Sequence, residues 1–399
     1  IEALAARGAA APEGAEIVDV GGRYAIPGLI DTHVHVTIQP DEAAMRAEME
    51  RNLYGGVTAV RDMIGDARII AHFARNARLG ELASPDIYFA GLAAGPGFFA
   101  DDRMTYEALG ATPGAVPWMR AVTPQTNLTE LVAMMRGAGA SGVKIYANLS
   151  PEIVRALTAE ARRQGLPVWA HGAIFPTTPL QAVEAGADTL SHVCMLAYQT
   201  LTPPPASYDY ADRGPLDEAR LMGDPVPEMA ALWAAMRERG VVLDTTAWVY
   251  RTIERMRAEM TAAAAPGEPE FLPPIYCSSR LAEHLMGQAS RAGVLLSAGT
   301  DAPAIAGDPW PGIFEELMLM RDSAGIAPIA VLRAATVNGA RAIGGDEQSG
   351  TIAVGALANF ALLTEDPLAE RANLRTVELT VKRGRRYWRR DYIATGAAM

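Results

Sequence analysis

Ser150-Pro151-Glu152-Ile153-Val154-Arg155-Ala156-Leu157, running on to Gly165-Leu166-Pro167-Val168-Trp169-Ala170-His171, spells one complete helix-then-strand unit. Ser150 supplies an N-cap and Pro151 a first helical position, where a missing N–H costs nothing. Ile153, Val154, Leu157 and Ala161 form an apolar stripe at helical spacing. Gly165 stops the helix, and 166–171 reads as a strand. The next unit repeats the plan: Thr178-Pro179 opens a helix, Gly186 closes it, and Ala187 to His192 is a strand. Working outward in both directions gives eight candidate strands, near 26–35, 57–63, 85–91, 142–147, 167–171, 188–193, 241–247 and 294–301. Eight strands alternating with helices predict an α/β fold of the (β/α)8-barrel type. A doubly wound sheet is the runner-up, but it normally carries a nucleotide-binding turn. The one formal G-x-G-x-x-G, Gly137 to Gly142, precedes a strand instead of following one, and reads as a helix-to-strand connection.

Both ends depart from this alternation. Residues 1–25 hold a short strand candidate, Glu16 to Val20, before Gly21-Gly22. Residues 350–399 read as strands and turns: Gly350-Thr351-Ile352, Ala358 to Leu363 and Val377 to Lys382. The expected organisation is a small β domain from 1–25 plus 350–399, around a barrel at 26–349. Connections near 92–127, 194–228 and 248–279 are long and rich in Pro and Gly. In a barrel they follow strands, on the face where active sites are built.

The 399 residues are half hydrophobic and one fifth charged, enough for a large buried core. A net charge of −11 without a basic stripe argues against nucleic acid as a partner. The one basic cluster, Lys382-Arg383-Gly384-Arg385-Arg386 with Arg389-Arg390, reads as a solvated strand edge or turn. No run approaches the ~18 apolar residues of a membrane helix. Cys194 and Cys277 are far apart and form no C-x-x-C, so neither a disulfide framework nor a thiolate zinc site is indicated. Compartment and homo-oligomeric state stay open, and a small molecule is the expected partner.

Chemistry gathers at the strand ends. In Asp31-Thr32-His33-Val34-His35 the two histidines lie two residues apart on a strand and point to one face. Lys144 interrupts an apolar strand, while His171, His192 and Asp301 each end one. A barrel brings these carboxyl-terminal ends around one mouth. Singly, each has an innocent reading: a hydrogen-bonded histidine, a snorkelling lysine, a helix-capping aspartate. Together they predict a metal site. His72 and His284 sit in helical patterns and are read as structural.

At these residues the chain resembles the amidohydrolase superfamily, in its imidazolonepropionase-like and prolidase-like (Xaa-Pro dipeptidase-related) branch. The matching segments are Pro27 to His35, Gly56 to Asp62, Val143-Lys144-Ile145-Tyr146, Ala170-His171, Ser191-His192 and Gly299-Thr300-Asp301-Ala302. Ala335 to Ala340 and Gly350-Thr351-Ile352 match in kind and order. The resemblance implies a distorted barrel carrying a β-sandwich from both termini, whose first strands it would place upstream of Ile1. Asn359 departs from the Asp common at that place in the family.

The resemblance further implies a carbamate on Lys144, made from carbon dioxide, bridging two divalent metals. These are Zn²⁺ by ligand type, with Mn²⁺ or Co²⁺ as substitutes. His33, His35 and Asp301 would hold one ion, His171 and His192 the other. Two metals about 3.5–4 Å apart can share a hydroxide at neutral pH, which would attack an amide or peptide carbon. Asp301 is the candidate proton acceptor and Tyr146 an oxyanion donor, while Tyr250 and Arg251 are placed to meet a substrate carboxylate. The substrate class expected is a dipeptide, N-acyl amino acid or related amide. Lactone, carbamate or phosphotriester hydrolysis, a mononuclear deaminase and a non-catalytic scaffold remain alternatives. Phe98, Phe99, Trp118, Trp248 and Trp310 on the long connections would favour a bulky apolar substrate group.

Overall fold

The structure is a computed structural model. It describes residues 1–394 except 7, 10, 38–40, 101, 264–276 and 346–347.

The strands in chain order are β1 (Tyr24–Pro27), β2 (Leu29–Val34), β3 (Val57–Asp62), β4 (Asp86–Ala94), β5 (Ala115–Val116) and β6 (Met119–Ala121). They continue with β7 (Gly142–Ile145), β8 (Val168–His171), β9 (Thr189–Ser191), β10 (Val242–Asp244), β11 (Leu295–Ser297), β12 (Phe360–Leu363), β13 (Val377–Lys382) and β14 (Arg385–Trp388). Eight of them run parallel in the order β11-β10-β9-β8-β7-β4-β3-β2. The ring closes through hydrogen bonds between β2 and the residues just past β11: Thr32 N–H donates to the Ala298 carbonyl at 2.9 Å, and Asp301 N–H to that of His33 at 2.9 Å. Each expected barrel strand overlaps an observed one, and the distorted (β/α)8 barrel is borne out. Burial on both faces explains their apolar character: all six residues of β3 and all four of β7 and of β8 are buried.

Local signals act as expected. Ser150 accepts from Ile153 N–H at the start of the helix Pro151–Arg163. Thr178 and Gln181 form a reciprocal capping box on the helix Pro179–Ala185, and Gly186 ends it at φ 97°. The glycine run 137–142 joins the helix Leu128–Gly137 to β7. His72 lies on the helix Ala67–Leu79 beside Asn76, and His284 on the helix Ser279–Arg291 against the Gly223 carbonyl.

Four features differ from the sequence reading. First, the small β domain expected from both termini is present, but as one antiparallel sheet, β1-β12-β13-β14, with no second facing sheet among the described residues. Glu16–Val20 and Gly350–Ile352 form no strand, whereas Arg385–Trp388 does. Second, the basic cluster fastens that sheet to the barrel. Lys382 is buried and donates to the Ala77 carbonyl (2.6 Å) while pairing with Asp86 (2.9 Å). Arg383 also pairs with Asp86, and Arg385 donates to the Gly80 carbonyl. Lys382 and Arg385 thereby satisfy carbonyls at the negative end of the helix Ala67–Leu79.

Third, the stretch after residue 247 is a helix, Ala247–Ala263. Its Pro and Gly residues all follow residue 263, so composition averaged over 248–279 concealed a good helix former. Fourth, Cys194 and Cys277 are paired as a disulfide, with Cα atoms 6.1 Å apart across 83 residues. Spacing carried no sign of it because the barrel, not local sequence, brings them together. No helix among the described residues is long and apolar enough to cross a membrane.

Candidate metal centre and active site

All six expected ligands stand at the carboxyl-terminal mouth of the barrel. His33 comes from β2 and His35 from just past its end, Lys144 from β7, His171 from the last position of β8, His192 from just after β9 and Asp301 from the loop after β11. His192 and Asp301 adopt left-handed backbone conformations, φ 72° and 50°. Such conformations are uncommon for residues with side chains and here turn both into the barrel axis.

Asp301 is the hub. Its Oδ1 lies 2.9 Å from His35 Nε2 and 3.5 Å from His33 Nε2, and its Oδ2 lies 3.4 Å from His192 Nδ1. Ligand atoms of His33, His192 and Asp301 all fall within 4.8 Å of one another, a spacing that one metal ion can bridge. His35 flanks this triad, and the His171 ring packs 4.4 Å from that of His192. The geometry thus groups His192 with His33 and Asp301 more tightly than the pairing implied by the family resemblance. Lys144 is buried, its Nζ 5.4 Å from the centre of the Tyr146 ring.

For His33, His171, His192 and Asp301 the electrostatics suit metal ligation, which requires neutral imidazoles and an ionised carboxylate; His35, bonded to Asp301, must give up a proton to ligate. Burial pushes His171 and His192 well below the usual imidazole range, and lowers His33 to about 4. Burial alone would raise Asp301, but the combined pull of His33, His35 and His192 holds it well below the usual carboxylate range. Burial likewise opposes the charge on His35, yet its bond to Asp301 and the charges of Glu107 and Asp62 raise it to about 9. Burial is also the main reason Lys144 falls to about 7, with Arg61 adding and Asp301 opposing.

The residues expected to meet substrate separate into two groups. Tyr146 stacks on His171 at 4.2 Å, and its hydroxyl lies 3.3 Å from that of Tyr208. Tyr250 is buried, and Asp301 and Tyr208 add to the effect of burial in raising its pKa. Arg251, by contrast, pairs with Glu283 and reaches Ser323 on the outer side of the barrel. It sits one residue along a helix from Tyr250, about 100° around the axis, and Glu283 and Ser323 hold its guanidinium away from the mouth. Among the aromatics, Phe98 reaches the wall, 4.4 Å from Tyr146, with Phe99 behind it. Trp118 lies under Arg68 on the outer face, Trp248 packs against Arg255, and Trp310 packs with Phe314 and Arg389.

Three buried residues escaped the sequence reading. Tyr208 stands edge-on to both Tyr146 and His171. Asp244 accepts from His33 Nδ1 at 2.7 Å. Glu316 accepts from Thr245 Oγ1 and from the Ala247 and Trp248 amides, holding the turn whose Thr246 Oγ1 lies 2.9 Å from His192 Nδ1. Asp244 inside the strand candidate 241–247 was the one available signal, since it interrupts an apolar run as Lys144 does.

The imidazolonepropionase of Saccharopolyspora erythraea is 28% identical over 249 residues, covering 54% of this chain and 63% of that protein. The chain therefore matches less than two thirds of that relative's length. Among solved structures, a Xaa-Pro dipeptidase with methionine bound in its active site superposes at TM-score 0.68 with 21% identity, covering 92% of this chain and 87% of that one. Phenylurea hydrolase B does so at TM-score 0.68 with 20% identity, covering 97% and 91%. The ochratoxinase of A. niger gives TM-score 0.66 and 20% identity, covering 94% and 85%. At these identities the structural likeness is one of fold. The sequence match of the amidohydrolase family spans residues 24–387, which include every strand end from His33 to Asp301, and the chain belongs to that family.

Proposed function

We propose that this amidohydrolase-family protein is a binuclear metal-dependent hydrolase that cleaves an amide or peptide C–N bond. The observation that carries the reading is the convergence of His33, His192 and Asp301 within 4.8 Å, flanked by His35, His171 and a buried Lys144 at about 7. The donor set fits two divalent ions: four imidazoles, one carboxylate and an amine that readily sheds its proton. As the carbamate, Lys144 would offer the ions one negative charge spread over two oxygens, with Zn²⁺ favoured by the nitrogen and oxygen donors. When bound, such ions supply Lewis-acid polarisation of the scissile carbonyl and lower the pKa of a water.

The remaining chemistry belongs to the chain. Asp301, held ionised by its histidine neighbours, accepts a proton at a carboxylate oxygen and returns it to the leaving amine nitrogen. The Tyr146 hydroxyl donates to the carbonyl oxygen as negative charge develops there, and its ring keeps His171 in place. Tyr208, Phe98 and Tyr250 form a wall that excludes water and favours an apolar substituent beside the scissile bond.

A dipeptide or N-acyl amino acid is the substrate class proposed. Metal analysis of purified protein, coupled to a panel of dipeptides, N-acyl amino acids, lactones and phosphotriesters, tests both halves. Near two metals per chain and turnover of an amide are expected. One metal, unaffected by bicarbonate, would remove the bridged site, and turnover confined to esters would reassign the substrate.

A further inference from the structure

We propose that Asp244, braced by Arg61, is the positioning carboxylate of this centre: it holds His33 as the Nδ1–H tautomer with Nε2 turned toward Asp301. The inference rests on the metal-centre reading above and assigns work to two residues with no place among the ligands.

Asp244 ends β10 and is fully buried. Four donors from three other strands converge on it. Thr32 Oγ1 donates to Oδ1 at 2.7 Å. His33 Nδ1 at 2.7 Å, Arg61 Nη2 at 2.9 Å and Ser191 Oγ at 2.9 Å meet at Oδ2. An oxygen that already takes a guanidinium N–H and a hydroxyl has only acceptor capacity left for the imidazole. Nδ1 of His33 must therefore carry the hydrogen, and the lone pair lies on Nε2, 3.5 Å from Asp301 Oδ1. A ligating histidine is commonly oriented this way, through the ring nitrogen that faces away from the metal.

Arg61 is what keeps Asp244 still. It is equally buried, donates to the Thr32 carbonyl (2.6 Å) and the Ala342 carbonyl (2.9 Å), and lies over the Trp169 ring at 4.9 Å. Two carbonyls and a ring face fix the guanidinium independently of Asp244. The backbone makes room for the arrangement at Gly299, where a Cβ would come within 2.2 Å of Asp244 Oδ1 and 2.7 Å of His33 Cβ. A buried Asp–Arg pair serving stability alone could be replaced by apolar residues at little cost. It would not need its carboxylate shared with a ligand histidine.

The test compares wild type, Asp244→Asn and the double variant Asp244→Asn/Arg61→Met, which removes both buried charges together. Zn²⁺ affinity is measured by competition with a chromophoric chelator, the fold by melting of the metal-free protein, and the His33 tautomer by ¹⁵N-histidine NMR of that form. Expected are a single Nδ1–H tautomer at His33 in wild type and about 10–100-fold weaker Zn²⁺ binding in both variants. The double variant should melt above the single one and still bind weakly. Recovery of wild-type affinity in the double variant would reduce the pair to a structural role and overturn the proposal. So would an Nε2–H tautomer in wild type, which remains decisive if neither variant folds. Wild type that binds no metal would instead sink the metal-centre reading, and the tautomer result distinguishes the two failures.

Discussion

Carbamate formation on Lys144 should follow the fraction of its amine that is neutral, because only that form attacks carbon dioxide. Burial holds Lys144 at about 7. Bicarbonate-dependent metal uptake should therefore be favoured above pH 7 and lost as pH falls below it. With that midpoint the neutral fraction is about 90% at pH 8 and about 10% at pH 6, roughly a tenfold change. A solvated lysine near 10.4 would stay almost wholly charged, and its neutral fraction would change about 100-fold over the same interval. The assay presents metal-free protein with Zn²⁺ and a fixed concentration of dissolved carbon dioxide, then measures protein-bound metal over time at pH 6, 7 and 8. The expected result is an initial uptake rate about tenfold higher at pH 8 than at pH 6 for the bicarbonate-dependent metal. Lys144→Ala should hold at most one metal whatever the bicarbonate. Two metals in Lys144→Ala would refute the argument, and a 100-fold pH dependence would place the amine in water.

Tyr146→Phe should lower kcat about 100–1,000-fold with KM little changed, and an unaltered kcat would confine the residue to its stacking on His171. Arg251→Ala should leave kcat/KM within about twofold, because its guanidinium is paired with Glu283 away from the mouth. Gly299→Ala should lower metal-free stability by about 1–3 kcal/mol and lose metal, since the new methyl overlaps Asp244 and His33. Wild-type melting and metal content in that variant would contradict the packing beneath the site. Thiol titration of denatured, unreduced protein should find no free thiol. Reducing the bond that closes 83 residues should cost up to about 4–5 kcal/mol by the chain-entropy argument, measured as a shift in the denaturant midpoint.

What could be read along the chain was what repeats locally. Helix caps at Ser150 and Thr178, apolar runs of strand length and glycine stops are short-range features. They located all eight barrel strands and ordered the six candidate ligands at the strand ends. The barrel itself converts "end of a strand" into "around one mouth", so those ligands needed no tertiary information. Family resemblance supplied the rest of the expected chemistry, including the role of Lys144.

Other features depend on neighbours from distant parts of the sequence that only the tertiary fold brings together. Cys194 meets Cys277, Lys382 meets Asp86, and Arg251 turns outward while Tyr250 turns in. Asp244 lies 211 residues from His33, and nothing in Val242-Leu243-Asp244 tells whether its carboxylate faces water or an imidazole. The sequence by itself determined the period of the fold and the identity of the candidate metal-binding side chains, because both follow from local pattern. Tertiary structure alone decided how each of those side chains is held, charged and turned, because burial and hydrogen bonding in a closed barrel are set by neighbours from other strands.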